Sequence, residues 1–177
     1  GRLWLQHREK KEDVLLNSSR TNGYIDCMDS AANDKLIMNW LSKETSKKLQ
    51  KKTGTAAFDA VIMSIEKCIS LLIESNDVAV SYNFDNNDLD IQYKKDDQDV
   101  ILPLNRMSDG YKCTISLITD IAYRMAQLNP QLREKVLDTP GVVVIDEIDL
   151  HLHPEWQKRI LGDLTNIFPN IQFIVST

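Results

Sequence analysis

Two carboxylates stand side by side in GVVVIDEIDLHLHP, residues 141–154: Asp146 and Glu147, at the end of an apolar run. Neighbouring residues of a strand point to opposite sides, so the pair can divide two tasks. One acid can hold the water shell of a Mg²⁺ ion while the other orients or deprotonates an attacking water. In an open parallel sheet, ligands bind beyond the carboxyl ends of the strands, where these acids sit. An acidic strand end without chemistry would carry the same letters. A second group, Ser108, Asp109 and Gly110 in RMSDGYK (106–112), directly precedes a helical pattern. Ser and Asp are good N-caps, Gly lets a ligand approach the backbone, and a helix start offers N–H groups to an anion. The same residues fit a plain helix cap. Third, Asp149, His151 and His153 alternate, and on an extended segment they would project together as an O/N₂ metal set. Pro154 follows at once and no further ligand cluster is present, which favours loop or interface packing.

These groups need elements to hold them. VVVI (142–145) is β-branched throughout, and its continuous hydrophobicity predicts a strand buried on both faces of a parallel sheet. Pro154 suits the first position of a helix, and PEWQKRILGDLTNIF predicts one helix burying Trp156, Ile160, Leu164 and Ile167 or Phe168. Pro169 and Asn170 break it, and IQFIVS reads as a second strand, completing a right-handed βαβ unit. Upstream, YKCTISLITDIAYRMAQL puts Ile115, Ile118, Ala122 and Met125 on one helical face and stops at Pro130.

Further upstream the period is two. VAVSYNF and DLDIQYK alternate around DNN (85–87), and DVILPL adds a third strand, an antiparallel meander over roughly 78–104. Before it, Phe58, Val61, Ile62, Ile65, Ile69 and Leu72 form a helical core stripe. Leu36, Ile37, Trp40 and Leu41 predict a short amphipathic helix. Lys43, Lys47, Lys48, Lys51 and Lys52 follow, as a solvated face or as a contact to DNA or RNA phosphates. Three regions result: a polar helical segment (1–53), a helix plus meander (54–104), and the helix, strand and βαβ unit (105–177).

With 177 residues, 42% hydrophobic and 27% charged, the chain has the size and composition of one globular domain rather than a disordered segment. A net charge of −5 gives no global basic field towards nucleic acid or membrane. Cys27, Cys68 and Cys113 lack C-x-x-C spacing and read as reduced, buried thiols of a cytoplasmic protein. No apolar stretch approaches transmembrane length, and GRLWLQHREKK has neither an initiating Met nor a secretory core. His7 stands in that charged start and reads as exposed.

Small-residue turn, long helix, apolar strand, Asp-Glu, helix and strand follow the order of the C-terminal half of an ABC-type ATPase head. MSDGYK resembles that fold's signature motif, usually written LSGGQ, and VVVIDE resembles its Walker B strand. LPLNRMSDGYKCTISLITDIAYRMAQLNP, GVVVIDEIDLHLHPEWQ and FPNIQFIVST resemble more closely one bacterial branch. It comprises the AAA-type ATPases, SMC-like (structural maintenance of chromosomes) and OLD-like, found with nucleases or retrons in anti-phage systems such as Septu. The likeness covers 101–177 and is looser upstream.

The resemblance implies an α/β fold, a partial ABC-ATPase head of P-loop NTPase type that hydrolyses ATP with Mg²⁺ in the cytoplasm. Asp146 would coordinate Mg²⁺ through water, and Glu147 would polarise the lytic water. Ser108, Asp109 and Gly110 would meet the γ-phosphate of ATP held by a second subunit, since two such heads sandwich two nucleotides as a homodimer. The stretch 148–153, with Asp149, His151 and His153, would lie along that interface. The implied role is to gate a nuclease partner or a DNA or RNA transaction, in anti-phage defence or DNA repair, away from membranes.

Three departures qualify the match. Asp109 replaces the first Gly of the usual signature, the expected switch His would be residue 178, and neither a G-x-x-x-x-G-K-[ST] P-loop nor a Q-loop occurs. The chain is therefore expected to be a piece that cannot turn over ATP alone. Two other readings compete. One is a non-hydrolytic, partner-binding module that has lost its P-loop; the other is a metal-dependent phosphodiesterase built on Asp146, Glu147, Asp149 and the two histidines.

Overall fold

The computed structural model describes residues 30–51, 56–95, 98–149, 152 and 154–177. Helix α1 (Ser30–Lys51) runs further than its apolar pattern predicts, because the lysine-rich segment continues it. Lys47 pairs with Glu44 one turn back at 2.5 Å, and Lys48 reaches Asp59 of the next helix at 2.7 Å. Ile37, Trp40 and Leu41 are buried, and Trp40 meets Tyr123 edge-on with ring centres 5.2 Å apart.

Helix α2 (Ala56–Ile73) buries Phe58, Val61, Ile65, Ile69 and Leu72 at intervals of three and four, the stripe its sequence predicts. It packs along helix α3 (Asp109–Leu128), which turns Ile115, Ile118, Ala122 and Met125 inward. Between them in sequence comes an antiparallel sheet of β1 (Val78–Asn83), β2 (Asp88–Lys95) and β3 (Gln98–Pro103), in that order. The register Val80↔Ile91↔Leu102 aims one row at the helices, while Ala79, Gln92 and Ile101 face out.

One buried acid ties this sheet to the site. Asp88 accepts N–H bonds from Leu89 (2.8 Å) and from Asn105 (2.9 Å). The second bond pins the 3₁₀ turn Leu104–Arg106, which delivers the chain to Ser108 and the start of α3. After α3, a 3₁₀ segment, Pro130–Asp138, leads into β4 (Gly141–Ile145). Helices α4 (Pro154–Gln157) and α5 (Ile160–Ile167) follow, and β5 (Ile171–Val175) returns parallel to β4. The expected α/β class, with a parallel β–α–β unit and a small antiparallel meander, is what forms.

Two expectations need correction. The single helix expected from residue 154 is two, because Arg159 interrupts it. Its backbone N–H closes a short turn onto the Trp156 carbonyl (3.0 Å), while its guanidinium donates to the Leu71 carbonyl near the end of α2. A cation there also complements the negative end of that helix. Second, β4 is not buried on both faces. Val142 and Val144 are 60% and 73% exposed, and Ile174, opposite Val144 on β5, is 51% exposed. A two-stranded sheet has one face against the helices, and there Val143, Ile145, Phe173 and Val175 pack; its other face meets solvent. Among the described residues, no helix is long and apolar enough to cross a membrane.

Candidate active site

The β4 ladder ends at Ile145, so Asp146 and Glu147 occupy a bend beyond the strand rather than two opposite faces of it. The reason is a bulge. In a regular parallel ladder one residue bonds the carbonyl before and the N–H after its partner. Ser176 instead donates its N–H to the Ile145 carbonyl (3.0 Å) and accepts the N–H of Ile148 (3.1 Å). One extra residue is thereby inserted opposite Ser176, and such bulges re-aim side chains. Glu147 takes the left-handed conformation at φ 51°, which costs a non-glycine residue about 1–2 kcal/mol.

Ser176 also closes the bulge with its side chain. Its hydroxyl accepts the N–H of Glu147 at 3.0 Å, the backbone donor that the bulge leaves out of the ladder. The same hydroxyl donates to a carboxylate oxygen of Asp146. A hydroxyl has one donor and two acceptor sites, so both roles are compatible. Both acids remain exposed. Nothing in the sequence alone marked Ser176, since its role depends on a pairing across about 30 residues.

Behind the bend lies a cavity of about 140 Å³, lined by Cys113, Thr114 and Leu117 of α3 and by Ile145, Glu147 and Ile148. The start of α3 and the acidic bend therefore share a wall, but Ser108, Asp109 and Gly110 are not part of the lining. Ser108 is the N-cap residue by backbone geometry, with ψ 158°, yet its hydroxyl makes no capping bond. The Asp109 side chain is 87% exposed and pairs with Lys112 at 2.7 Å. The Gly110 carbonyl accepts the Thr114 hydroxyl at 2.9 Å.

The next residue, Tyr111, meets Trp156 of α4 edge-on at 4.4 Å between ring centres. Burial raises the Tyr111 hydroxyl above its ordinary pKa, with Tyr93 adding to the rise and Arg159 opposing it. Asp149 contributes its backbone: its carbonyl accepts the Leu152 N–H (3.1 Å) and the Gln157 amide (3.2 Å). His151 and His153 lie outside the described residues, as do His7 and Cys27; of the other thiols expected to be buried, Cys68 is, whereas Cys113 is exposed, on a side of α3 that the core does not cover. Of the lysine tract, Lys47 and Lys48 are committed to Glu44 and Asp59, in keeping with a solvated face rather than the alternative phosphate contact, and Lys52 lies outside the described residues.

Among the described residues, no group of three or more His, Cys, Asp or Glu is assembled for a metal. An exposed carboxylate such as Asp146 still suits Mg²⁺, which keeps several waters and is usually held by one or two carboxylates plus substrate phosphates.

The Asp-Glu pair follows a strand of a parallel β–α–β unit, and Glu147 shares a cavity wall with the first turns of α3. The chain belongs to the family described as "AAA domain, putative AbiEii toxin, Type IV TA system", which matches residues 71–177. It is 58% identical over 71 residues to "Retron Vc95 probable ATPase" of Vibrio cholerae serotype O1 biovar El Tor, covering 40% of this chain and 14% of that protein. It is 47% identical over 74 residues to "Septu protein PtuA" of Bacillus mycoides (strain KBAB4), covering 42% of this chain and 10% of that protein. The matched region thus spans a small part of either relative, and the resemblance to the retron and Septu branch holds. A solved chain from work on ATP-driven dimerization and DNA-stimulated activation of SMC ATPases aligns with TM-score 0.44 and 22% identity, over 67% of each chain. That likeness is too distant to bear on function.

Proposed function

We propose that this chain supplies the hydrolytic corner and the signature helix of an ATPase that dimerises around ATP and gates a nuclease or nucleic-acid partner in anti-phage defence. The observation that carries the reading is the bulge at Asp146 and Glu147, which exposes two consecutive acids and sets Glu147 on the wall of a cavity shared with the first turns of α3. The names of the retron and Septu relatives support the pathway.

Each residue has a distinct task in this reading. Asp146 holds the hydrated Mg²⁺ that accompanies ATP, and the ion supplies charge neutralisation on the phosphates. Glu147, one residue on, orients the attacking water and accepts its proton. The Ser108 hydroxyl and the N–H groups at Asp109 and Gly110 bind γ-phosphate oxygens of the nucleotide on the second subunit. Lys112 offsets the charge of Asp109, which would otherwise repel that phosphate. Asp149, with His151 and His153, belongs to the loop along the dimer interface. The phosphate-gripping loop lies outside these 177 residues, because no G-x-x-x-x-G-K-[ST] occurs among them. A second reading is a non-hydrolytic module that offers 108–110 to a partner's nucleotide, on the same exposed start of α3.

Completion in trans makes a sharp test. In the native polypeptide carrying this segment, Ser108→Arg and Glu147→Gln each disable both sites of a homodimer. Mixed in equal amounts, half of the dimers pair one of each, and one of their two sites is intact. Phosphate release should recover to about a quarter of the wild-type rate. No recovery on mixing would rule out a shared site, and a wild-type protein that binds ATP without hydrolysing it would favour the second reading.

A further inference from the structure

We propose that Ser176 is a positioning residue of the hydrolytic corner: its hydroxyl sets where both Asp146 and Glu147 stand. The inference rests on the function proposed above and adds a residue to it. Three observations carry it. The Ser176 backbone brackets the bulge, bonding Ile145 on one side and Ile148 on the other. Its Oγ takes the Glu147 N–H at 3.0 Å, the donor which the bulge has removed from the ladder. The same Oγ donates to Asp146, so one side chain spans both acids.

Chemistry explains why a hydroxyl is needed here. The corner presents one backbone donor and one carboxylate acceptor, and a group serving both must donate and accept from a single atom. Alanine can do neither. Glu147 is held in a left-handed conformation that a glutamate rarely adopts, and such conformations persist where surrounding bonds over-determine them. Without Oγ, Glu147 can relax towards extended backbone, which would re-aim its carboxylate. A shift of about 1 Å at a reacting group is enough to lower turnover about a hundredfold. Ser176 directly follows β5, so any movement of that strand end reaches both acids through one atom.

The test compares Ser176→Ala and Ser176→Thr in the native polypeptide, with two readouts. The first is hydrogen exchange resolved to single amides. Removing the bond should speed exchange of the Glu147 N–H roughly three- to tenfold, with α3 core amides such as Ile118 unchanged, and Thr should restore protection. The second is ATP hydrolysis. Ala should lower kcat about tenfold or more with KM for ATP within about twofold, and Thr should recover most of the loss. Unchanged Glu147 exchange in the alanine variant would overturn the proposal, as would a kcat equal to wild type. If the wild-type protein hydrolyses no ATP, the hydrolase reading fails by itself. The Glu147 amide then decides whether Ser176 holds the corner: faster exchange upholds it, unchanged exchange removes it.

Discussion

Ser176 and Glu147 are 29 residues apart in sequence and joined by a 3.0 Å hydrogen bond from the Glu147 N–H to the Ser176 hydroxyl. The bond closes a bulge in the only parallel strand pair among the described residues, and the bulge places the two acids of interest on an exposed bend. Holding Glu147 at φ 51° works against the intrinsic preference of its backbone. Strain of this kind at the residue proposed to orient the attacking water would oppose stability to function, and the opposition can be measured.

Glu147→Gly should stabilise the protein. Relief of the left-handed conformation contributes about 1–2 kcal/mol, and the extra freedom of glycine in the unfolded chain offsets about 0.5–1 kcal/mol of it. The net gain is between about 0 and 1.5 kcal/mol. Glu147→Gln keeps the side-chain carbons and the strain, so its unfolding midpoint should match wild type. Urea unfolding of the three proteins checks this. A glycine variant less stable than wild type would mean that the conformation is not strained.

Tyr111 and Trp156 should couple the start of α3 to α4. Their rings meet at 4.4 Å and 71°, an edge-to-face geometry worth about 0.5–1.5 kcal/mol beyond simple burial. A double-mutant cycle with Tyr111→Leu and Trp156→Leu, read by denaturant unfolding, should return a coupling energy in that range. Strict additivity of the two changes would show that the rings are neighbours without being partners.

Much of this arrangement is legible in the sequence, and what is not has a physical reason. The stripes of α2 and α3, the meander and the VVVI strand follow from local periodicity, which depends on near neighbours only. Ser176 could not be singled out, because its partners Asp146 and Glu147 lie in the bend after a different strand. The left-handed turn at Glu147 also has no local signal, since glutamate gives no hint of φ above zero. Arg159 reads as one more helical residue until its contact with Leu71, 88 positions away, shows why the helix breaks there. The exposed face of Val142 and Val144 is the opposite case. Its letters say "buried", and the two-stranded sheet leaves that face in solvent.

Stability should fall in alkaline solution. Burial pushes the Cys68 thiol well above its ordinary 9.0, and the nearby Asp163 adds to the effect. Burial likewise raises Tyr123 from 10.0 to about 12, with Arg124 opposing and Asp120 reinforcing. In both cases the fold keeps the proton while the unfolded chain releases it. The contribution is therefore complete below the unfolded pKa and is lost as pH rises past it. Unfolding free energy should decline from about pH 9 by at most about 1.4 kcal/mol per pH unit for the thiol, and more steeply above pH 10 as Tyr123 joins. Cys68→Ala should abolish the slope between pH 9 and 10 whatever it does to absolute stability. An unchanged slope would remove Cys68 as its source.

The most direct measurement of the central claim is ATP hydrolysis by the native polypeptide carrying this segment, with Glu147 and with Glu147→Gln. Removing the group that orients the water and takes its proton should lower kcat by about 10²–10⁴ while ATP still binds. A glutamine variant that turns over ATP within twofold of wild type would contradict the account, because the bend at Asp146 and Glu147 would then not be where hydrolysis occurs.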